Sequence, residues 1–82
     1  MLYKQLETKW IKLEPRQSVE YDAGEGAILI PPDRSKVFLH WLTDKGNVKT
    51  TFTMMYATLV SGKLKVINGS DHHLDIRLIE HI

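Results

Sequence analysis

The segment from residue 48 to residue 60 constrains the fold of this chain more than any other. Its even-numbered positions are all apolar or threonine: Val48, Thr50, Phe52, Met54, Tyr56, Thr58 and Val60. A period of two residues is the pattern of a β-strand, because successive side chains point to opposite faces. At about 3.3 Å per residue, one straight strand of this length would exceed about 40 Å, too long for so small a domain. We therefore expect strand structure with a bend, bulge or break between residues 54 and 57.

Turn signals divide the rest of the chain into short segments. Residues 44–47, 61–62 and 68–71 contain Gly, twice beside Asn, and predict hairpin turns that reverse the chain. Pro15 predicts a further turn, and Pro31-Pro32 ends a short apolar strand by removing two backbone donors. Strands separated by turns at this spacing are typical of sandwiches and barrels.

The pattern predicts an all-β fold: a small antiparallel β-sandwich or barrel of about seven strands, with a jelly-roll-like, meander or Greek-key topology. Eighty-two residues leave room for one domain, spanning residues 1–82. A short helix over residues 4–12 is an alternative for the N-terminal segment, which contains good helix formers.

Charge and composition restrict the functional classes. Eleven basic and ten acidic residues give a net charge of +1, whereas nucleic-acid binding usually needs a basic excess. A nucleic-acid-binding β-barrel is therefore a third hypothesis, and it would need a local patch built from Lys63 and Lys65 with Lys9 or Lys12. The chain has no cysteine, which excludes disulfides and thiolate metal sites. It has no apolar run long enough to span a membrane and no export signal, so we expect no membrane partner and a cytoplasmic location.

The candidate metal ligands are His73 and Asp75. In a strand these two residues share a face about 6.6 Å apart along the chain, and imidazole and carboxylate groups both bind divalent ions. His72 would join them only if it lay in a turn, and the His-x-His pair of cupin-like metal sites is absent. The second hypothesis is thus a small-ligand or metal-binding jelly-roll-like domain that uses His73, Asp75 and His40. The alternative interpretation is a polar loop and a solvated strand face.

No constellation in the sequence predicts catalysis. Ser70, Asp71 and His72 are adjacent in one expected turn, where side-chain hydrogen bonds that stabilise the turn explain them better than triad geometry does. His40 lies among apolar residues, as a buried or interface histidine would. We predict no catalytic residue and no cofactor.

Two segments are apolar on both strand faces. In residues 37–42, Phe38 and Leu42 oppose an equally apolar set that includes Trp41. In the long segment, Met55 and Leu59 oppose Phe52 in the same way. A single small core cannot bury both faces, so a second chain or the N-terminal segment, residues 2–13, must cover one of them. The predicted contact residues are Phe38, Trp41, Leu42, Met55 and Leu59.

The first functional hypothesis is therefore a non-enzymatic protein–protein interaction or assembly module. It would self-associate, or serve as a structural or accessory subunit of a larger particle, for instance a viral one. Folding favours such a role, because a chain of this length buries only about 60% of the surface that its unfolded form exposes.

Overall fold

The structure is a computed structural model that describes residues 6–81, with the backbone alone of His81. Over that range the chain forms eight strands and no helix, one strand more than the number expected. The strands are β1 (Leu6–Leu13), β2 (Ser18–Asp22), β3 (Ala27–Ile30), β4 (Val37–Leu42), β5 (Val48–Met54), β6 (Thr58–Val60), β7 (Lys63–Asn68) and β8 (Leu74–His81).

The strands form two antiparallel four-stranded sheets. Sheet A has the order β1-β8-β3-β6, and sheet B has the order β2-β7-β4-β5. The pairs β1·β8, β2·β7, β3·β6 and β4·β5 are those of one long hairpin centred on the turn between β4 and β5. Wrapping that hairpin adds the pairs β3·β8 and β4·β7. This arrangement is a jelly roll, so the prediction of an all-β antiparallel sandwich is confirmed.

The turns play two different roles. The predicted hairpin at residues 44–47 is confirmed: β4 pairs with β5, and the amide of Thr43 donates to the carbonyl oxygen of Asn47 over 2.8 Å. The hairpins predicted at residues 61–62 and 68–71 are wrong, because both segments carry the chain from one sheet to the other. A turn at a corner of a sandwich needs the same permissive residues as a tight hairpin, so the local sequence does not distinguish them.

The long alternating segment is broken where expected. It forms β5 in sheet B and β6 in sheet A, and residues 55–57 cross between the sheets. Met54 is fully buried at the end of β5, and Val60 is buried at the end of β6. The predicted interruption between residues 54 and 57 is confirmed.

The described part of the N-terminal segment, the alternative to a second chain as cover, leaves Met55 and Leu59 open. Residues 6–13 form β1 at the edge of sheet A, so the helical alternative is wrong for the described part of that segment. Met55 and Leu59 stay 68% and 73% exposed. Residues 2–5, which belong to the same expectation, lie outside the described residues.

The core lies between the sheets and is almost entirely aliphatic. Its side chains come from Leu13, Ala23, Ala27, Leu29, Val37, Leu39, Met54, Val60, Leu64, Val66, Leu74, Ile76 and Leu78. The fully buried Asn68 of sheet B joins the two sheets: its Nδ2 lies 3.1 Å from the carbonyl oxygen of Leu13, and its Oδ1 accepts the amide of Ser70 over 2.8 Å. Because a buried amide is costly unless its polar atoms are bonded, this network fixes how the sheets meet.

Candidate functional site

The structure separates the five predicted contact residues into four places. Phe38 and Leu42 lie on the outer face of sheet B and are half-buried. Trp41 points between the sheets, packs against the core and donates its Nε1–H to the carbonyl oxygen of Ser61 over 2.9 Å. Met55 lies in the crossing between β5 and β6, and Leu59 lies on the outer face of sheet A. These residues therefore do not form one continuous surface.

Phe38 takes part in packing within the chain. Its ring lies directly over Gly69, so closely that a Cβ at Gly69 would overlap the ring edge. The amide of Gly69 donates to the carbonyl oxygen of Lys36 over 2.8 Å, which holds the backbone of the turn after β7 beside β4. The Phe38 ring thus covers the backbone of Gly69 in the same chain.

A row of apolar side chains lies on the outer face of sheet A. The register aligns Thr8, Ile79, Ile28 and Leu59 in one row across all four strands. Alternation confirms the direction of these side chains, because their neighbours Leu78, Leu29 and Val60 are buried in the core. Leu6, Trp10 and Ile30 extend the row along the same face, by the period of two. We call this surface the isoleucine face; it consists of Leu6, Trp10, Ile28, Ile30, Leu59 and Ile79.

The isoleucine face is open to solvent. Leu6 is 63% exposed and Trp10 is 54% exposed, while Ile28 and Leu59 are also exposed. Leu6, Ile28, Leu59 and Ile79 line a shallow depression of about 360 Å³ next to the loop that contains Glu25 and Gly26. A concave apolar surface of this kind is typical of a contact site for another molecule.

Polar groups lie along one end of the isoleucine face. The guanidinium group of Arg77 lies 5.7 Å from the centroid of the Trp10 ring, within cation–π range. Beyond it, Lys12 and Asp75 are opposite each other on β1 and β8. The face therefore has an apolar centre and a charged boundary, as protein interfaces have.

The two predicted metal ligands lie together at this boundary. Nε2 of His73 is 2.6 Å from Oδ1 of Asp75, and its Nδ1 is 3.2 Å from Oε1 of Glu14. The carboxylates of Asp75 and then Glu14 raise the pKa of His73 above its usual value of 6.5, because both hydrogen bonds favour the protonated ring. A metal binds the neutral ring, so an ion at His73 would have to compete with the proton that these carboxylates favour.

Among residues 6–81, no group of three or more His, Asp or Glu side chains has the geometry of a metal site. His40 lies on the outer face of sheet B, whereas Asp75 lies on that of sheet A, so the two do not meet. The metal-binding hypothesis remains a prediction that rests on His73 and Asp75 alone.

The lysines proposed for a nucleic-acid patch are also separated. Lys63 and Lys65 on β7 stand opposite Asp22 and Glu20 on β2. Lys9 belongs to the other sheet, where its Nζ lies 2.6 Å from Oε1 of Glu80. Each of these three lysines therefore has a carboxylate beside it or directly opposite.

A polar cluster joins the sheets at the end remote from Asn68. Glu80 accepts hydrogen bonds from Lys9 and, over 2.6 Å, from the hydroxyl of Tyr21 in sheet B. The bond from Lys9, followed by that from Tyr21, lowers the pKa of Glu80, while partial burial and the carboxylate raise the pKa of Tyr21. The cluster holds β1, β2 and β8 together.

Sequence reasoning found Leu59 but missed its neighbours on the isoleucine face. The signals were present: Ala27–Ile30 is apolar at four consecutive positions, and Ile79 interrupts the polar face of the last strand. These signals do not show that the residues are neighbours, because the strands of sheet A come from both ends and the middle of the chain.

No helix within residues 6–81 could cross a membrane. No family model, curated protein or solved structure matches this chain.

Proposed function

We propose that this protein is a non-enzymatic protein–protein interaction or assembly module whose contact surface is the isoleucine face. The observation that carries the proposal is the row of Ile79, Ile28 and Leu59 across three adjacent strands on the outside of the sandwich. An apolar row is usual on the core side of such a sheet, whereas the solvent side normally alternates to polar residues.

The size of the face supports this role. The four strands of sheet A contain 23 residues, obtained from their lengths of 8, 8, 4 and 3. At about 3.3 Å per residue and about 4.8 Å between strands, they cover roughly 360 Å². Even if all of that area were apolar, covering it would contribute no more than roughly 9 kcal/mol at about 25 cal/mol per Å², before the costs of association. An area of this size suits a weak or transient contact rather than a large obligate interface.

The chemistry of the face indicates the partner. Its centre is aliphatic with one tryptophan, and Arg77 and Asp75 lie at its boundary. It offers few polar groups for a small polar ligand and no cluster of positive charge for phosphate. An apolar protein surface with polar groups at its margin is the complementary shape and chemistry.

The test is affinity capture from the native source with matched variants. Leu59→Lys places a charge at the centre of the contact surface, and the exposure of Leu59 leaves the fold unaffected. Ser18→Lys places the same charge at an exposed position on the outer face of sheet B and serves as the control.

We expect the wild-type protein and Ser18→Lys to retain the same protein, and Leu59→Lys to lose it. Equal retention by all three proteins, with melting temperatures unchanged, would show that the isoleucine face is not the contact surface.

A further inference from the structure

The four strands at the edges of the sheets are protected to very different degrees. An edge strand exposes unpaired backbone groups, and proteins normally block it with charges or by keeping it short. β6 has only three residues. β2 has five, of which Glu20 and Asp22 are charged. β1 carries Glu7, Lys9 and Lys12, and Lys9 points to the core side, where it pairs with Glu80.

The edge strand β5 is the exception. It has seven residues, six of them exposed, and Lys49 is its only charged residue. A β-bulge leaves Lys49 without a partner on β4, between the pairs Trp41–Thr50 and Leu42–Val48. The regular, uncharged part of this edge is therefore residues 50–54. The whole strand contains no proline or glycine, and its three threonines and two other β-branched or aromatic residues favour extended structure. On one side it pairs with β4, and on the other side its backbone groups face outward.

We propose that β5 pairs antiparallel with β5 of a second copy of this chain, about a two-fold axis at Thr51. The two copies of sheet B would then form one continuous eight-stranded sheet. An isologous contact of this kind closes after two copies and removes the exposed edge from both.

The sequence of β5 suits a copy of itself in this register. Within the regular part of the strand, Thr51 lies opposite Thr51 of the partner and Thr50 lies opposite Phe52. Cross-strand threonine pairs and aromatic–threonine pairs stabilise antiparallel sheets. The two Lys49 residues are four positions apart along the strands, about 13 Å, so like charges do not face each other.

The pairing also covers apolar side chains that the single chain leaves open. Phe52 shares a face with the buried Leu39 but is 49% exposed. Pairing about Thr51 puts the two Phe52 rings on the same face, two positions apart, within reach of each other. A second copy of β5 thus supplies both the backbone partners and the apolar cover that this edge lacks.

Cysteine cross-linking tests the register directly, because the chain has no cysteine of its own. Thr51→Cys places two thiols opposite each other, with Cα atoms about 4.5–5.5 Å apart, inside the range for a disulfide. Lys49→Cys places its two thiols about 13 Å apart, beyond that range.

Under mild oxidation at micromolar concentration, we expect Thr51→Cys to form a covalent dimer about tenfold faster than Lys49→Cys. Sedimentation should show the wild-type protein as a dimer and Thr51→Lys as a folded monomer, because the new charges would face each other. Equal cross-linking rates for Thr51→Cys and Lys49→Cys, or a wild-type monomer at tens of micromolar, would overturn the proposal.

This dimer is independent of the proposed role of the isoleucine face, because the two surfaces lie on different sheets. Leu59→Lys should leave cross-linking of Thr51→Cys unchanged. Loss of cross-linking in the doubly substituted chain would mean that the copies meet through the isoleucine face, and it would overturn pairing through β5.

Discussion

The two sheets share one core but have different exteriors. On the outside of sheet A, the central row is Thr8, Ile79, Ile28 and Leu59. On the outside of sheet B, the corresponding row is Glu20, Lys65, His40 and Thr51. Three of four side chains are apolar in the first row and none in the second. The outer row of sheet B is polar, as in a sheet that faces water. The outer row of sheet A is mostly apolar, as in a sheet that packs against another surface.

Sheet B also has apolar side chains on its outside, and one of them packs within the chain. Phe38 packs on Gly69, whereas Leu59 on sheet A stays 73% exposed. Outward-facing apolar residues are therefore of two kinds: some pack against other parts of the same chain, and others stay exposed to solvent. Only the second kind supports an interaction role.

The largest effect expected from this difference is on stability. Phe38→Ala should lower the free energy of unfolding by about 2–3 kcal/mol, because it removes a half-buried ring from the turn after β7. Leu59→Ala should change it by less than about 0.5 kcal/mol, because the side chain is exposed. Urea denaturation of both variants provides the measurement. Equal losses would mean that the two faces use their apolar residues alike.

Two glycines give a smaller, matched comparison. Gly69→Ala should cost about 1–3 kcal/mol, since its methyl group would overlap the Phe38 ring. At Gly26 a methyl group would lie 3.8 Å from Cδ1 of Leu59, an ordinary contact. Gly26→Ala should therefore be neutral or stabilise the fold by up to about 1 kcal/mol. Thermal melts of both variants test this, and a Gly69→Ala variant as stable as wild type would show that Phe38 is free to move.

The smallest expected effect is the pH dependence at the charged boundary of the isoleucine face. The folded pKa of His73 is raised, so its ion pairs stabilise the fold fully below the unfolded value of 6.5. That contribution should disappear as the pH rises from 6.5 through the folded pKa. His73→Gln should lack this loss in melting temperature. If the melting temperatures of both proteins change in the same way with pH across that window, the ion pairs of His73 do not stabilise the fold.

The local features of the fold could be predicted from the sequence, whereas the pairing of strands other than the β4–β5 hairpin could not. The period of two between residues 48 and 60 predicted strand structure and its interruption, because alternation and length are local properties. The corner turns at residues 61–62 and 68–71 were mistaken for hairpins because their residues suit both geometries.

The same limit explains the incomplete prediction of the candidate surface. Both Leu59 and Phe38 lie in segments that are apolar on both faces, so the sequence selects them alike. Leu59 is exposed in the structure, whereas Phe38 packs over Gly69. Ile28 and Ile79 become neighbours of Leu59 only through the order β8-β3-β6. That order results from the folding of the whole chain and cannot be predicted from the sequence of one strand.

Photo-cross-linking from the two exteriors tests most directly whether the isoleucine face is the contact surface. A photoreactive phenylalanine analogue replaces Leu59 in one protein and Ser18 in another, and both are irradiated in the native source. We expect a discrete cross-linked protein adduct from position 59 and none from position 18. The same adduct from both positions, or an adduct from position 18 alone, would contradict an interaction through sheet A.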